Sequence, residues 1–400
     1  MADPSVETAP RQEISYQPED EKRRIPDPVW SIGLSGGGYR AMLFHTGALW
    51  RLHEAGLLAR IAIFSSVSGG SIANGWLALT WGALMAPGAR FRDVFVPGIR
   101  AMANTTVDVW SVLAGIWTGT IPQRVAAAYD RVLFKGTRLA QLPAAPLFIY
   151  DSSNLQTGAL WRFTREYMGD YKIGYVDKPD LPLSVAVGAS SAFPPVLSPV
   201  VLKSPGTFRP AEPPPALCDP RYRSRVTLSD GGVYDNLGLE PIIKRARTVL
   251  VSDGGSPFKT QPRPCGFWPL QIVRVLMSED NQVRALRKRG LIDRYRLYTG
   301  LRNKNIDPWS IPDAAAIARE GTYWGITTQA DDYPAKGGLP CPAALTEPLA
   351  RISTRLARMK DKDQEHLINW GYAVCDYAIR SHVDGSITPA TQWPYPRGLN

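Results

Sequence analysis

One serine of this 400-residue chain lies in a local sequence that favours nucleophilic chemistry. Ser68 is the centre of Ser66-Val67-Ser68-Gly69-Gly70, with an apolar run before this pentapeptide and helix-forming residues after it. A small-x-Ser-x-Gly pattern between a strand and a helix is typical of a nucleophile elbow, because small neighbours permit the sharp turn that exposes the hydroxyl. Ser66 replaces the usual first glycine of that pattern, and an N-capping role for Ser68 is the simpler alternative.

A glycine run, Gly36-Gly37-Gly38, lies upstream of this serine between another apolar stretch and another helical pattern. Consecutive glycines let main-chain N–H groups converge on one anion, and the N-terminus of the following helix adds partial positive charge. Such a loop can bind a phosphate or the oxyanion of an acyl-transfer intermediate. Its spacing matches neither the GxxxxGK[ST] nucleotide loop nor the GxGxxG dinucleotide loop. The alternative is a glycine-rich turn with a structural role only.

An aspartate at a third predicted strand end could serve as a proton acceptor. Asp230 follows the predicted strand Arg225–Ser229 and precedes two glycines. A carboxylate there can point into a site at the carboxyl edge of a parallel sheet, where ligands bind in such folds. Asp253, in Asp253-Gly254-Gly255, repeats the pattern, and an Asx turn is the structural alternative for both residues.

Strands and helices that alternate along the chain are expected to position these residues. Val29–Leu34 and Ile61–Ser65 have the short apolar runs of buried strands, and Tyr39–Glu54 and Gly69–Leu84 have the composition of helices. This order predicts parallel strands joined by right-handed crossovers. The glycine run and the serine should therefore lie at the same edge of the sheet.

The rest of the sequence also predicts a mixture of strands and helices. A hairpin is predicted from 147–151 and 159–164, a short helix over 184–191, a strand over 248–252, and mostly helix beyond 266, with a final pair at about 343–360 and 362–382. We expect three regions: a flexible leader over 1–27, a core over 28–260 with a helical cap insertion at about 90–145, and a mainly helical C-terminal extension over 261–400 packed on the core.

Composition narrows the functional classes. Apolar residues form 44% of the chain and charged residues 20%, so the chain as a whole is not disordered. The net charge of +10 favours anionic partners without choosing among them. The four cysteines form no CxxC pair, so reduced thiols in a cytoplasm fit better than a disulfide framework or a zinc site. No secretory signal or membrane-spanning run is found.

The motifs in this order resemble the patatin-like phospholipase family, with some similarity to the cytosolic phospholipase A2 group. The matching pieces span about 30–255: the GGGxR loop ending at Arg40, the SxSGG elbow, Ala189-Ser190-Ser191-Ala192-Phe193-Pro194, and Asp230-Gly231-Gly232-Val233-Tyr234-Asp235-Asn236. Ser66 and Ala41 depart from the family pattern by small replacements that bear on loop geometry. The resemblance implies a three-layer αβα core with a mostly parallel sheet, a helical cap and a helical C-terminal region.

The resemblance also implies a lipid acyl hydrolase that works through a Ser–Asp dyad without histidine. Ser68 would attack an ester carbonyl, Asp230 would accept its proton, and the amides of Gly36, Gly37 and Gly38 would hold the oxyanion. Arg40 and Gly69 would position the loop or the substrate. A free aspartate, with a pKa of about 3.9, is a poor base at neutral pH, so partial burial of Asp230 is needed.

Two other readings stay open. A Ser–Asp–His triad in the order of α/β-hydrolases would need His366 or His382, both within helical patterns, whereas His45 and His53 lie on the helix after the glycine run. A catalytically silent module of the same fold would bind a lipid or an anion through the glycine run. No HExxH or clustered ligand pattern indicates a metal, and no cofactor is expected.

Two surface patterns suggest contact with lipid. Val109, Trp110, Leu113, Ile116 and Trp117 recur at helical spacing and predict either a packed cap helix or an interfacial one. The segment 284–296 has six basic residues against Asp293, which is a solvated face or a membrane-docking patch. We therefore expect a lipid or membrane-surface substrate, no nucleic acid partner, and a cytoplasmic protein that can be peripheral at a membrane.

Overall fold

The computed structural model describes residues 25–107, 121–195, 197–211 and 214–400, which form helices around one mixed sheet. The strands, in chain order, are β1 (Asp27–Leu34), β2 (Ile61–Ser66), β3 (Leu147–Asn154), β4 (Ala159–Phe163), β5 (Tyr167–Asp170), β6 (Gly174–Asp177), β7 (Val200–Lys203), β8 (Arg225–Asp230), β9 (Ala246–Asp253) and β10 (Glu320–Gly325). Most of the predicted leader, 1–24, and the apolar pattern at 109–117 lie outside the described residues.

Helices cover both faces of this sheet. The α-helices in the described ranges are α1 (Gly38–Glu54), α2 (Gly69–Leu84), α3 (Phe91–Val94), α4 (Val96–Ala103), α5 (Ile121–Tyr129), α6 (Leu183–Ser190), α7 (Pro220–Arg223), α8 (Gly232–Asp235), α9 (Glu240–Ile243), α10 (Trp268–Arg302), α11 (Pro312–Ile317), α12 (Ala343–Ala350) and α13 (Asp361–His382). Short 3₁₀ or π turns occur at Leu58–Arg60, Asp130–Phe134, Leu139–Gln141, Pro308–Ser310 and Ala330–Asp332.

Five parallel strands form one side of the sheet, from its edge strand inward, in the order β10-β9-β1-β2-β3. Antiparallel strands extend it from β3, with β4, β5 and β6 in succession and with β8 followed by β7. The predicted α/β fold with a parallel core is confirmed, and β3 and β4 form the predicted hairpin. Because β1 and β2 are parallel neighbours, the glycine run and the serine elbow leave the sheet at one edge.

The strands β2 and β8 share one edge of β3 and run toward each other, while β4 occupies the other edge. Ser66, the last residue of β2, pairs with Tyr150, and Asp230, the last residue of β8, pairs with Ser152. The two strand ends therefore meet beside β3. The expectation that Asp230 ends a parallel strand is wrong, because β8 is antiparallel to β3.

Alternating strand residues fill two apolar layers. In β9, Leu250 belongs to the larger core beneath α1, α2 and α13, whereas Val249 and Val251 belong to the smaller core beneath α9 and α10. α1 and α13 pack so closely that a Cβ at Gly47 would lie 1.9 Å from the carbonyl oxygen of Ile368. These layers give the αβα order that the family resemblance implied.

The C-terminal part of the chain is built into the core. β10 pairs with β9 in the main sheet, and α13 packs along α1. The helix predicted over about 343–360 is too long, because α12 ends at Ala350. The main-chain oxygens of Ala350 and Ile352 accept hydrogen bonds from Arg40, so the chain leaves the helix and crosses the glycine run as an irregular segment.

Candidate active site

Ser68 forms a strained turn between β2 and α2. Its backbone has φ 52° and ψ −118°, a left-handed conformation that a residue with a Cβ rarely adopts. The next two positions must be glycine, because a Cβ at Gly69 would lie 2.0 Å from the oxygen of Gly38 and one at Gly70 would lie 2.3 Å from that of Leu34. The turn leaves Ser68 half-buried at the wall of a cavity. This is the geometry expected of a nucleophile elbow.

A buried network of hydroxyl groups supports this turn. The N–H of Ser68 donates to Oγ of Ser190 at 3.1 Å, and Oγ of Ser190 lies 2.8 Å from Oγ of Ser71. Ser66, which replaces the usual glycine of the elbow, donates from Oγ to the oxygen of Ile149 at 2.9 Å and accepts from Ser71 at 3.0 Å. The replacement therefore adds a polar tie beneath the elbow without closing the cavity.

Asp230 lies at the end of β8 with its side chain buried. Oδ1 accepts a hydrogen bond from the N–H of Gly232 at 2.7 Å, whereas Oδ2 has no hydrogen-bond partner of standard geometry in the described part of the chain. The main chain is held on both sides: the N–H of Asp230 donates to the oxygen of Ala192 at 2.9 Å, and Oγ of Ser153 donates to the oxygen of Asp230 at 2.8 Å. One carboxylate oxygen is thus fixed and the other remains free to accept a proton.

The electrostatic setting makes this carboxyl a stronger base than a free aspartate. Burial raises the pKa of Asp230 to about 7. The amide of Gly232 and the neighbouring hydroxyl of Ser68 oppose the rise of this pKa, and the charge of Asp280 adds to it. The side chains of Ser68 and Asp230 are therefore close enough to interact, and the carboxyl group has the proton affinity of a general base for neutral pH.

The glycine run offers fewer free amides than its sequence predicts. The N–H of Gly36 donates to the oxygen of Asn236 at 3.1 Å and is therefore occupied. The N–H groups of Gly37 and Gly38 have no acceptor within the described ranges, and both residues have positive φ values, +138° and +57°. A Cβ at Gly36 would lie 3.2 Å from Cβ of Ser68, which places this loop directly beside the serine.

Arg40 holds the backbone around the glycine run and is almost completely buried. Nε and Nη2 donate to the oxygen of Gly254, and Nη1 donates to the oxygens of Ala350 and Ile352, at 2.7–3.2 Å. Burial lowers the pKa of Arg40 to about 10, which leaves it charged at neutral pH. The geometry favours a role for Arg40 in positioning the loop over one in positioning the substrate.

The competing aspartate is engaged elsewhere. Oδ2 of Asp253 accepts from the hydroxyl of Tyr323 at 2.7 Å, Oδ1 accepts from the N–H of Gly255 at 2.8 Å, and Arg284 is 3.9 Å away. Burial of Asp253 acts to raise its pKa, but the pKa is lowered overall, and the charge of Arg284 is the largest lowering cause. A carboxylate held in its ionised form is a poor proton acceptor, so Asp230 is the better candidate base.

The four histidines contact residues other than Ser68 and Asp230. Nδ1 of His45 is 2.8 Å from Oγ of Ser252, and its burial lowers the pKa to about 4. His53 and His366 make hydrogen bonds to main-chain oxygens, and His382 lies against the ring of Tyr333. Among the described residues that line the cavity beside Ser68, none is a histidine. This arrangement does not support a Ser–Asp–His triad.

Ser68, Asp230 and the three glycines line one cavity of about 630 Å³. Most of its remaining wall is apolar, and the apolar side chains are Val107, Phe193, Pro194, Pro195, Leu197, Pro257, Phe258, Val273, Met277, Leu356 and Ala357. A cavity of this size and character accommodates an acyl chain next to the reactive groups.

Sequence reasoning missed several contributors to this site. Ser190 lies in a motif that the resemblance used, but its hydrogen bond to the nucleophile depends on how α6 packs. Thr354 and Leu356 bring the segment after α12 over the glycine run, and a Cβ at Gly38 would lie 1.8 Å from the oxygen of Thr354. Asp280 and Arg284 reach the cavity from α10, far along the chain. Arg284 begins the basic segment 284–296 of the sequence analysis, but no local motif marks Thr354, Leu356 or Asp280 as part of the site.

Two further properties concern metals and membranes. The described residues contain no group of three or more His, Cys, Asp or Glu side chains arranged to hold a metal ion. In the same ranges, no helix combines the length and the apolar character that a bilayer crossing requires.

Comparisons with known proteins address the family and the fold of the chain. The Patatin-like phospholipase family profile matches residues 33–243, more than half of the chain. Human GIVD cytosolic phospholipase A2 has a similar fold, with a TM-score of 0.53 and 15% identity over 93% of this chain. Its complex with methyl gamma-linolenyl fluorophosphonate gives a TM-score of 0.51 and 16% identity over 90% of this chain.

The chain spans 60% of the first of these solved chains and 57% of the second. No curated protein sequence matches the chain at a significant level. The matched profile covers the glycine run, the elbow of Ser68 and Asp230, and the structure places all three at one cavity. The chain therefore belongs to the patatin-like phospholipase family.

Proposed function

We propose that this protein is a serine hydrolase that cleaves fatty-acyl esters of lipids through an acyl-serine intermediate. The observation that carries the proposal is the convergence of three features at one apolar cavity. These are the strained Ser68, the buried Asp230 whose pKa is raised to about 7, and the free amides of Gly37 and Gly38. Family membership supports a lipid substrate, and the apolar wall supports an acyl chain.

The first half of the reaction forms the acyl-enzyme. Oγ of Ser68 attacks the ester carbonyl carbon while its proton passes to Oδ2 of Asp230, the carboxylate oxygen that is not held by the N–H of Gly232. The negative charge that develops on the carbonyl oxygen is stabilised by the amides of Gly37 and Gly38 and by the N-terminus of α1. The tetrahedral intermediate then collapses: the ester C–O bond breaks, and the leaving alcohol takes the proton from Asp230.

The second half restores the enzyme. A water molecule gives a proton to Asp230 and attacks the acyl carbon, and the same amides hold the second oxyanion. When this intermediate collapses, the bond to Oγ breaks, the proton returns to Ser68, and the fatty acid leaves. Each oxyanion donor is typically worth about a hundredfold to a thousandfold in rate.

Three sequence predictions enter this proposal: the oxyanion donors, the roles of Arg40 and Gly69, and the location of the protein. The oxyanion donors are Gly37 and Gly38, because the amide of Gly36 is already used. Arg40 and Gly69 act by positioning the loop and the elbow. A cytoplasmic location remains our expectation, and the unpaired thiols of the four cysteines are consistent with it.

The test is covalent labelling combined with turnover. A fluorophosphonate should label Ser68 in the wild type, with the site read by mass spectrometry, as expected from the ligand bound to the human relative. Ser68→Ala and Asp230→Asn should both abolish hydrolysis across a panel of phospholipids and short-chain esters. Ser256→Ala is the matched control, because Ser256 lines the same cavity and should keep full labelling.

Two results would contradict the proposal. In the first, the folded wild type is neither labelled nor active, and an anionic lipid stabilises the wild type and Ser68→Ala equally. The protein would then be a catalytically silent binding module. Loss of activity in His366→Gln or His382→Gln would indicate a triad in place of the dyad.

A further inference from the structure

The first half of α10 exposes an apolar stripe to solvent. The large apolar side chains of this stripe are each 41–67% exposed and lie along one side of the helix: Trp268, Ile272, Val275, Leu276, Val283 and Leu286. We call these six residues the outer face of α10. Glu279 is a charged residue on the same side. Exposed contiguous apolar surface of this kind marks an interaction site.

The opposite side of the same helix forms part of the cavity beside Ser68. Val273, Met277, Asp280 and Arg284 line that cavity. Of the described residues of α10, only Leu291 is buried, and it lies in the second half, where the helix packs on β10. The first half is therefore a thin wall, with the substrate cavity on one side and, on the other, an apolar face that no described residue buries.

The charge around this outer face is positive. The stretch 256–289 contains seven basic residues and two acidic ones, Glu279 and Asp280. Lys259 and Arg263, which precede the helix, and Arg289, which follows the apolar stripe, are exposed. An amphipathic helix with aromatic residues on its apolar face and flanking cations is the pattern of a helix that binds an anionic bilayer surface.

The predicted basic patch at 284–296 does not itself supply a free membrane surface. Arg284 donates to the oxygen of Ser256, Arg287 pairs with Glu240, and Lys288 lies over the ring of Tyr323. These three cations therefore stabilise the fold, whereas Arg289 of the same segment is exposed, as are Lys259 and Arg263 before α10.

We infer that the outer face of α10 docks on the surface of an anionic lipid bilayer, with its apolar side chains in the interfacial layer and Lys259, Arg263 and Arg289 near the headgroups. The inference rests on the proposed function for its consequence, because docking would hold the substrate cavity one helix away from a source of acyl esters. Charge argues against a second copy of the chain, since a two-fold interface would bring these basic residues of both copies together.

The experiment is vesicle co-sedimentation of the full chain. Vesicles of phosphatidylcholine mixed with phosphatidylglycerol are compared with vesicles of phosphatidylcholine alone. We expect wild type to bind the mixed vesicles at least about tenfold more tightly, and we expect added salt to weaken this binding because it screens the charges. Val275→Glu combined with Leu276→Glu should lower binding by about tenfold or more, since neither charged side chain enters the apolar layer.

Controls separate this inference from the proposed function. Leu155→Glu, at an equally exposed apolar position (51%) away from the cavity, should bind vesicles like wild type. Ser68→Ala should also bind like wild type, whatever its activity. The Val275→Glu, Leu276→Glu variant should hydrolyse a soluble short-chain ester at the wild-type rate, because neither residue lines the cavity. If the wild type and the double variant both fail to hydrolyse this ester, the result counts against the proposed function and leaves the docking inference unaffected.

The inference is overturned by any of three results. Wild type and the double variant could bind the mixed vesicles equally or not at all. Wild type could be a dimer by size-exclusion chromatography, with the double variant a monomer, which would assign the face to a second copy. The double variant could melt at a lower temperature with unchanged vesicle binding, which would mean that another part of the chain covers the face.

Discussion

The N–H of Ser68 donates a hydrogen bond to Oγ of Ser190 at 3.1 Å. The chain just after Ser190 also holds the base: the oxygen of Ala192 accepts from the N–H of Asp230, and the oxygen of Ser190 accepts from the N–H of Gly231. The C-terminal end of α6 is thus a common support for the nucleophile and the proton acceptor. Its hydrogen bonds fix the distance between two groups that lie far apart in the sequence.

Loss of the Ser190 hydroxyl should disturb the geometry of catalysis more than substrate binding. We expect Ser190→Ala to lower kcat by about tenfold with little change in KM, since the amide of Ser68 loses its acceptor and the elbow relaxes. Steady-state kinetics on one soluble ester measure both constants. Ser31→Ala is the matched control, because Ser31 is buried and hydrogen-bonded to Thr248 but remote from the cavity. An equal fall of kcat in both variants would contradict this role.

The pH dependence of activity should follow the carboxyl group of Asp230. Its pKa is raised to about 7, and the reaction needs the ionised form, so kcat/KM should rise with pH and level off above about pH 8. Asp280→Asn should move the profile to lower pH, because the charge of Asp280 raises the pKa of Asp230. The profile should persist in His366→Gln. A profile without an inflection near neutral pH would exclude Asp230 as the base.

The same carboxyl should make stability depend on pH in a defined direction. The pKa of Asp230 is higher in the folded state, so the folded chain holds this proton more tightly than the unfolded chain between about pH 4 and pH 7. Its contribution to stability is therefore present at low pH and is lost as the pH rises through this window. Asp230→Asn should be more stable than wild type at pH values above about 8, by a few kcal/mol at most, with the difference shrinking toward about pH 4. Urea unfolding at several pH values measures it, and a constant difference would contradict the raised pKa.

Arg40 should be needed for stability in a way that lysine cannot replace. Arg40→Met leaves the buried oxygens of Gly254, Ala350 and Ile352 without their donors, which should lower the free energy of unfolding by about 3 kcal/mol or more. Arg40→Lys should recover only part of this, because one ammonium group cannot reach all three oxygens. Arg397→Met, at an exposed position, should change the free energy of unfolding by less than about 0.5 kcal/mol. Full recovery by lysine would contradict the assigned role.

Gly38 should be intolerant of a methyl group for steric reasons. A Cβ there would lie 1.8 Å from the oxygen of Thr354, so Gly38→Ala should displace the oxyanion amide and lower kcat/KM by about a hundredfold or more. Gly56→Ala is the matched control: Gly56 has a similar φ of +69°, but a Cβ would meet nothing within 4 Å. It should cost about 1 kcal/mol of stability and leave activity intact. Equal kinetic effects of the two variants would show that backbone strain, not the contact with Thr354, controls the loop.

Local sequence determined which residues are candidates for catalysis and most of the strands and helices that position them. The small residues around Ser68 permit a sharp turn, and the glycine run permits a loop with positive φ values. The alternation of apolar strands with helices predicts a core of parallel strands. These features depend on residues near one another in the chain, which is why a sequence pattern contains them. The predicted length of the helix before residue 360 is wrong: it ends at Ala350, where the distant Arg40 donates to the main-chain oxygens of Ala350 and Ile352.

Tertiary structure alone decided which groups act together. β2 and β8 meet end to end beside β3, which brings Asp230 to Ser68, while Tyr323 and Arg284 hold Asp253 in its ionised form. The packing of Asn236 against the loop removes the amide of Gly36 from the available donors. Strand partners, burial and the pKa of a carboxyl group are set by contacts between residues remote in sequence, and no local pattern encodes those contacts.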